Sequence, residues 1–134
     1  MATAKVIYQG NLRTQATHIK SRDTIITDAP TDNNGKGEAF SPTDLVATAL
    51  ASCMITIMGI KARDKGINID GIESEITKIM ASGPRRIDEI IVTLHMPKVE
   101  ISSTDKNLLE KAALSCPVAH SIHPDIKQAI TINW

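Results

Sequence analysis

Ser41-Pro42-Thr43-Asp44-Leu45-Val46-Ala47-Thr48-Ala49-Leu50-Ala51-Ser52-Cys53-Met54-Ile55-Thr56-Ile57-Met58-Gly59-Ile60-Lys61 is the stretch on which the fold turns. It reads as one long helix. Ser41 is placed to cap it, Pro42 takes the first helical position, where a missing N–H costs nothing, and Asp44 can reach back to the cap. No proline interrupts the pattern from Thr43 to about Lys65, and Gly66 supplies a stop. Apolar residues surround most of this helix, and only Asp44, Thr48, Ser52 and Thr56 form a polar stripe at i, i+4 spacing. A helix apolar on so many sides is expected at the centre of a fold or of an oligomer.

Outward from the helix, the patterns are those of strands. Val6, Tyr8, Leu12, Ile19, Ile25 and Ile26 are set among polar residues over 3–28, with a turn near Gly10-Asn11, which predicts a hairpin or three-stranded meander. Residues 29–38 are rich in turn formers and read as a mobile loop. Segments 72–81 and 87–96 alternate around Ser82-Gly83-Pro84-Arg85 as a second hairpin. Ser103-Thr104-Asp105 then caps a helix through Leu108, Leu109, Ala112 and Ala113, which Pro117 interrupts just after Cys116. Residues 128–134 close as a strand. The expectation is a single α+β domain over 1–134, with sheets packed around a buried helix.

Composition narrows the partners. Lys plus Arg and Asp plus Glu each number 15, so the formal net charge is zero and no basic stripe suggests nucleic acid. The start, Met1-Ala2-Thr3-Ala4-Lys5-Val6-Ile7-Tyr8, lacks the apolar run of a signal peptide, and the longest apolar stretch is broken by Ser52, Thr56 and Gly59. Neither export nor membrane spanning is expected, and a cytoplasmic location follows. There, two cysteines are expected as free thiols rather than as a permanent bridge. Tyr8, Phe40 and Trp134 are the only aromatics, so aliphatic residues must fill the core.

The two cysteines, Cys53 and Cys116, stand sixty-three positions apart. A thiol becomes a useful nucleophile when a cation or a helix N-terminus stabilises its thiolate, and aliphatic surroundings keep it inert. Cys53, mid-helix among Leu50, Met54 and Ile57, reads locally as a small core residue. Cys116 sits at a helix boundary beside Pro117, where backbone dipoles can favour a thiolate. Cys116, His120 and His123 also fall at i, i+4 and i+7, but Pro124 follows at once and a fourth ligand is missing. The histidines therefore read as helix-end residues and no metal is expected. Gly35-Lys36-Gly37 has neither the preceding strand nor the spacing of a nucleotide motif.

Phe40-Ser41-Pro42-Thr43-Asp44-Leu45-Val46-Ala47-Thr48-Ala49-Leu50-Ala51-Ser52-Cys53, with Ala113-Leu114-Ser115-Cys116-Pro117 far downstream, resembles the paired signature of the OsmC/Ohr family, the osmotically inducible and organic hydroperoxide resistance proteins. The resemblance extends to the order of elements over essentially the whole chain. It implies an OsmC-like α+β fold in an intertwined homodimer, with no metal or organic cofactor. It also implies a thiol peroxidase cycle in which Cys53 attacks an organic hydroperoxide and Cys116 resolves the product as a disulfide. A dithiol, a lipoylated protein in the organic hydroperoxide branch, would regenerate the enzyme. The activating arginine of the family matches Arg13, whose guanidinium would lower the thiolate pKa and orient a peroxide oxygen. The chain departs from the pattern where the family has a catalytic glutamate, since Thr43 stands there. Asp44 lies nine residues before Cys53, on the opposite side of the helix and about 13 Å along its axis, so capping suits it better. Glu38, in the preceding loop, could swing in, with nothing in the sequence to fix it there. The missing glutamate keeps a second function open, an OsmC-fold protein without peroxidase activity that binds a small apolar or thiol-reactive ligand at the dimer interface.

Overall fold

The long helix forms over Pro42–Asp64 (α1). The Asp44 N–H donates to Ser41 Oγ at 3.0 Å and the Ser41 N–H donates to Asp44 Oδ2 at 2.9 Å, so two donors without helical partners are satisfied reciprocally. At the other end Gly66 takes φ +68°, and the Ile67 N–H reaches back to the Ala62 carbonyl at 2.8 Å. A residue with a Cβ resists that left-handed conformation, which is why glycine ends the helix.

This computed structural model describes Met1–Trp134, and its contacts divide the chain into two compact units, Met1–Val46 and Ala47–Trp134. The first unit contains the predicted meander, Ala4–Gly10 (β1), Arg13–His18 (β2) and Thr24–Asp28 (β3), antiparallel in that order. Asn11 and Leu12 alone connect β1 to β2, with φ +54° and +62°. Two positive φ values are what the twist of a two-residue hairpin demands, and Leu12 meets that demand without the usual glycine. The segment expected as a loop is one, and hydrogen bonds within it give it a local shape. Residues Thr31–Asn33 form a 3-10 turn, and Asn33 and Gly35 both donate to the Pro30 carbonyl at 2.9 Å. Gly35 passes so close to Ala29 that an added Cβ would lie 1.7 Å from the Ala29 carbonyl oxygen.

In the second unit Glu73–Ser82 (β4) and Arg85–His95 (β5) form the second hairpin, and Lys127–Asn133 (β6) lies parallel to β5. A parallel neighbour needs a long crossover, and Ser103–Leu114 (α2) with Pro117–Ser121 (α3) provide it. Capping of α2 falls one residue earlier than expected. The Ser102 hydroxyl, not Ser103, accepts the Asp105 N–H at 3.1 Å, because that bond spans three positions. Leu50, Met54 and Met58 of α1, Ile90, Val92 and Leu94 of β5, and Leu109 and Ala113 of α2 form the core of this unit. By length and composition α1 could cross a membrane. Its buried face, Ala47, Leu50, Ala51, Met54, Met58 and Ala62, follows the i, i+3, i+4 spacing of a packed core helix, whereas Ser52, Thr56 and Ile60 are exposed.

Candidate active site

Cys53 and Cys116 meet in the second unit. Cys53 is half-buried at the middle of α1 and packs against the aliphatic core. Cys116 is fully buried at the junction of α2 and α3, where Pro117 ends one helix and opens the next. Its Sγ accepts the Ala119 N–H at 3.4 Å and so caps α3. The Ala119 carbonyl in turn accepts Gln128 Nε2 of β6 at 3.1 Å, which anchors the cysteine's turn to the sheet.

The helix boundary acts on the Cys116 thiol in the expected direction, through backbone N–H groups, but burial opposes it more strongly. Burial pushes this thiol up from the ordinary value of 9.0, and a hydrogen bond and charge repulsion from Cys53 push it in the same direction. The Ala119 and Val118 N–H groups pull the other way without winning. Removing a sulfur anion from water outweighs two peptide dipoles on a helix of five residues. Across sixty-three positions of sequence the two thiols thus share one packed cluster, in which Cys53 is near enough to act on Cys116.

The histidines do not join them. Helix α3 ends at Ser121, so His123 leaves the face that its spacing suggested, and its Nδ1 accepts the Asp125 N–H at 3.0 Å. His120 and His123 are both exposed, and no cluster of three or more candidate ligands exists in the chain.

Arg13 belongs to the first unit, as the first residue of β2. Its Nε donates to Asp28 Oδ1 at 2.7 Å and its Nη2 to Asp28 Oδ2 at 2.8 Å. Nη2 also donates to Glu38 Oε2 at 3.2 Å. Glu38, considered from sequence, is thus in contact with Arg13. Asp28 was missed, although the meander pairs residue 13 directly with residue 28 and a placed turn would have revealed it. The hydrogen bond to Asp28 raises the Arg13 pKa further, and the same bond lowers the Asp28 pKa from 3.8 against the opposing effect of burial. Asp44 holds the helix cap described above, and Thr43 Oγ1 lies 3.2 Å from Ser41 Oγ.

The OsmC family, described as OsmC-like protein, matches residues 35–131. Among solved structures, an osmotic stress induced and detoxification response protein, so described, from Psychrobacter arcticus 273-4 is 56% identical, with a TM-score of 0.95 over 99% of this chain and 96% of that one. A protein from Legionella pneumophila described as organic hydroperoxide resistance protein OsmC shares the fold at 17% identity, with a TM-score of 0.73 over 98% and 95% of the two chains. A Vibrio cholerae protein described in the same class, with captopril bound in one of its active sites, matches at 15% identity and a TM-score of 0.74 over 99% and 92%. No curated protein matches the chain. A family match over most of the sequence, joined to a relative of majority identity with the same fold, leaves one assignment: the chain belongs to the OsmC-like protein family.

Proposed function

We propose that this protein is a cysteine-based peroxidase that reduces organic hydroperoxides in the cytoplasm. The observation that carries the reading is that the two free cysteines, the half-buried Cys53 and the buried Cys116, come together in one packed cluster. The Cys53 thiolate attacks the terminal oxygen of ROOH, the O–O bond breaks, and the alkoxide takes a proton and leaves as ROH. Cys53 becomes a sulfenic acid. The Cys116 sulfur then attacks the Cys53 sulfur, water leaves, and a disulfide forms. An external dithiol, of which a lipoylated protein is one form, accepts the disulfide by exchange and returns both thiols. A fully buried resolving cysteine suits this order, because burial holds its thiol less acidic and keeps it from competing with Cys53 for the peroxide. Arg13 serves as the activating cation, and a homodimer is the working form. Neighbours of the same fold that are described as organic hydroperoxide resistance proteins support the substrate class.

The test is stopped-flow consumption of cumene hydroperoxide and of hydrogen peroxide by the reduced protein, with intact mass recorded before and after. Loss of the organic peroxide with a decrease of two hydrogens in the monomer mass supports the cycle. No reaction with both thiols still titratable would instead support a binding protein for a small apolar or thiol-reactive ligand, the reading that Thr43 in place of glutamate favours.

A further inference from the structure

An arginine that orients a peroxide must itself be held still, and the start of α1 offers Thr43 where a carboxylate is expected. We infer that Asp28 is the positioning residue that fixes the Arg13 guanidinium for substrate, with Glu38 as a weaker and exchangeable second partner. This deepens the peroxidase reading and rests on it.

Two parallel bonds at 2.7 and 2.8 Å fix both the position and the plane of the guanidinium, which a single contact cannot do. The Asp28 side chain is 3% exposed and that of Glu38 is 63% exposed, so the first is held by packing and the second competes with water. Asp28 is also fixed from behind. Its Oδ2 accepts the Glu38 N–H at 3.1 Å, and its own N–H donates to the Phe40 carbonyl at 3.0 Å. On the arginine side, Leu12 holds its left-handed conformation while its carbonyl accepts the Ala29 N–H at 3.0 Å. The backbones at residues 12–13 and 28–29 are therefore joined both through the strand register and through this extra bond.

The arrangement assigns the guanidinium edges. Nε and Nη2 are committed to the carboxylates, and Nη1 makes no hydrogen bond to the protein, so its N–H groups are the donors left for a peroxide oxygen. Asp28 touches no substrate in this scheme. It acts through Arg13.

The test compares Asp28→Asn, Asp28→Glu and Glu38→Gln in the full chain by two readouts. The first is the Arg13 Nε–H resonance in a nitrogen–proton correlation spectrum at neutral pH, a direct probe of the ion pair. It should persist in the wild type and in Glu38→Gln and be lost in Asp28→Asn. The second is kcat/KM for tert-butyl hydroperoxide with a dithiol reductant. It should fall by about tenfold to a hundredfold in Asp28→Asn, recover in part in Asp28→Glu, and fall less in Glu38→Gln. A persistent Nε–H resonance in Asp28→Asn would overturn the assignment, as would a Glu38→Gln loss equal to that of Asp28→Asn. If Asp28→Asn does not fold, acid titration of the wild type replaces it. The Arg13 Nε and Hε chemical shifts should then move as Asp28 takes up a proton, with a midpoint below the ordinary aspartate value of 3.8, and shifts that stay constant through that titration overturn the inference. A wild type without turnover would remove the peroxidase reading and leave the resonance to decide whether Asp28 fixes Arg13.

Discussion

Cys53 and Cys116 differ in what surrounds them, and that difference separates their variants. Cys53→Ser removes the attacking sulfur and should abolish turnover. Cys116→Ser should consume one equivalent of hydroperoxide and then stall, with the stalled sulfenic acid visible as a single added oxygen by mass. Asp28 sets a pH dependence of stability. Its folded-state pKa is depressed by the bond to Arg13, so the unfolded chain binds the proton more readily and stability rises with pH through this window. The contribution is complete above the ordinary aspartate value of 3.8 and is lost as pH falls through the lower folded-state value. Melting temperatures of the wild type and Asp28→Asn should therefore differ at pH 6 and converge in strong acid. Equal separation at both pH values would show that this ion pair does not act on stability.

The elements carry their own tests. The β1–β2 turn places Leu12 at φ +62°, where a side chain with a Cβ costs about 1–2 kcal/mol. Leu12→Gly should stabilise the protein by about 1 kcal/mol once the added freedom of the unfolded chain is deducted, as read by urea denaturation. A loss of stability would mean that the half-exposed leucine side chain makes packing that outweighs its backbone strain. On α1, Leu50 is fully buried against the second unit's aliphatic core. Leu50→Ala should cost about 2–5 kcal/mol by the same measurement, the spread reflecting how far the core can collapse around the void. A cost under about 1 kcal/mol would place Leu50 outside the core.

At the scale of the whole molecule, the first unit's sheet leaves apolar side chains uncovered on both faces. Strand alternation puts Val6, Tyr8 and Ile25 on one face and Ile7 and Ile26 on the other, and all five are more than 40% exposed. Three strands need such faces covered to be stable, which is the physical support for the proposed homodimer. Light scattering after size exclusion should give twice the mass of one chain, and Val6→Asp with Ile7→Asp should shift it toward the monomer. A wild-type monomer would remove the dimer from the proposal. The sequence by itself determined what is encoded within a few neighbouring residues. The Ser41–Asp44 capping box, the stop at Gly66, the two hairpins and the break at Pro117 all follow from contacts or conformations spanning at most five positions. The OsmC-like signature was legible for the same reason, because it lies in two short contiguous segments. Tertiary structure alone decided the parallel pairing of β6 with β5, the burial that raises the Cys116 thiol, and the exclusion of water from the Asp28 carboxylate. Each of these depends on which distant segments are brought together and how much water they exclude, and no local pattern of residue types records either quantity.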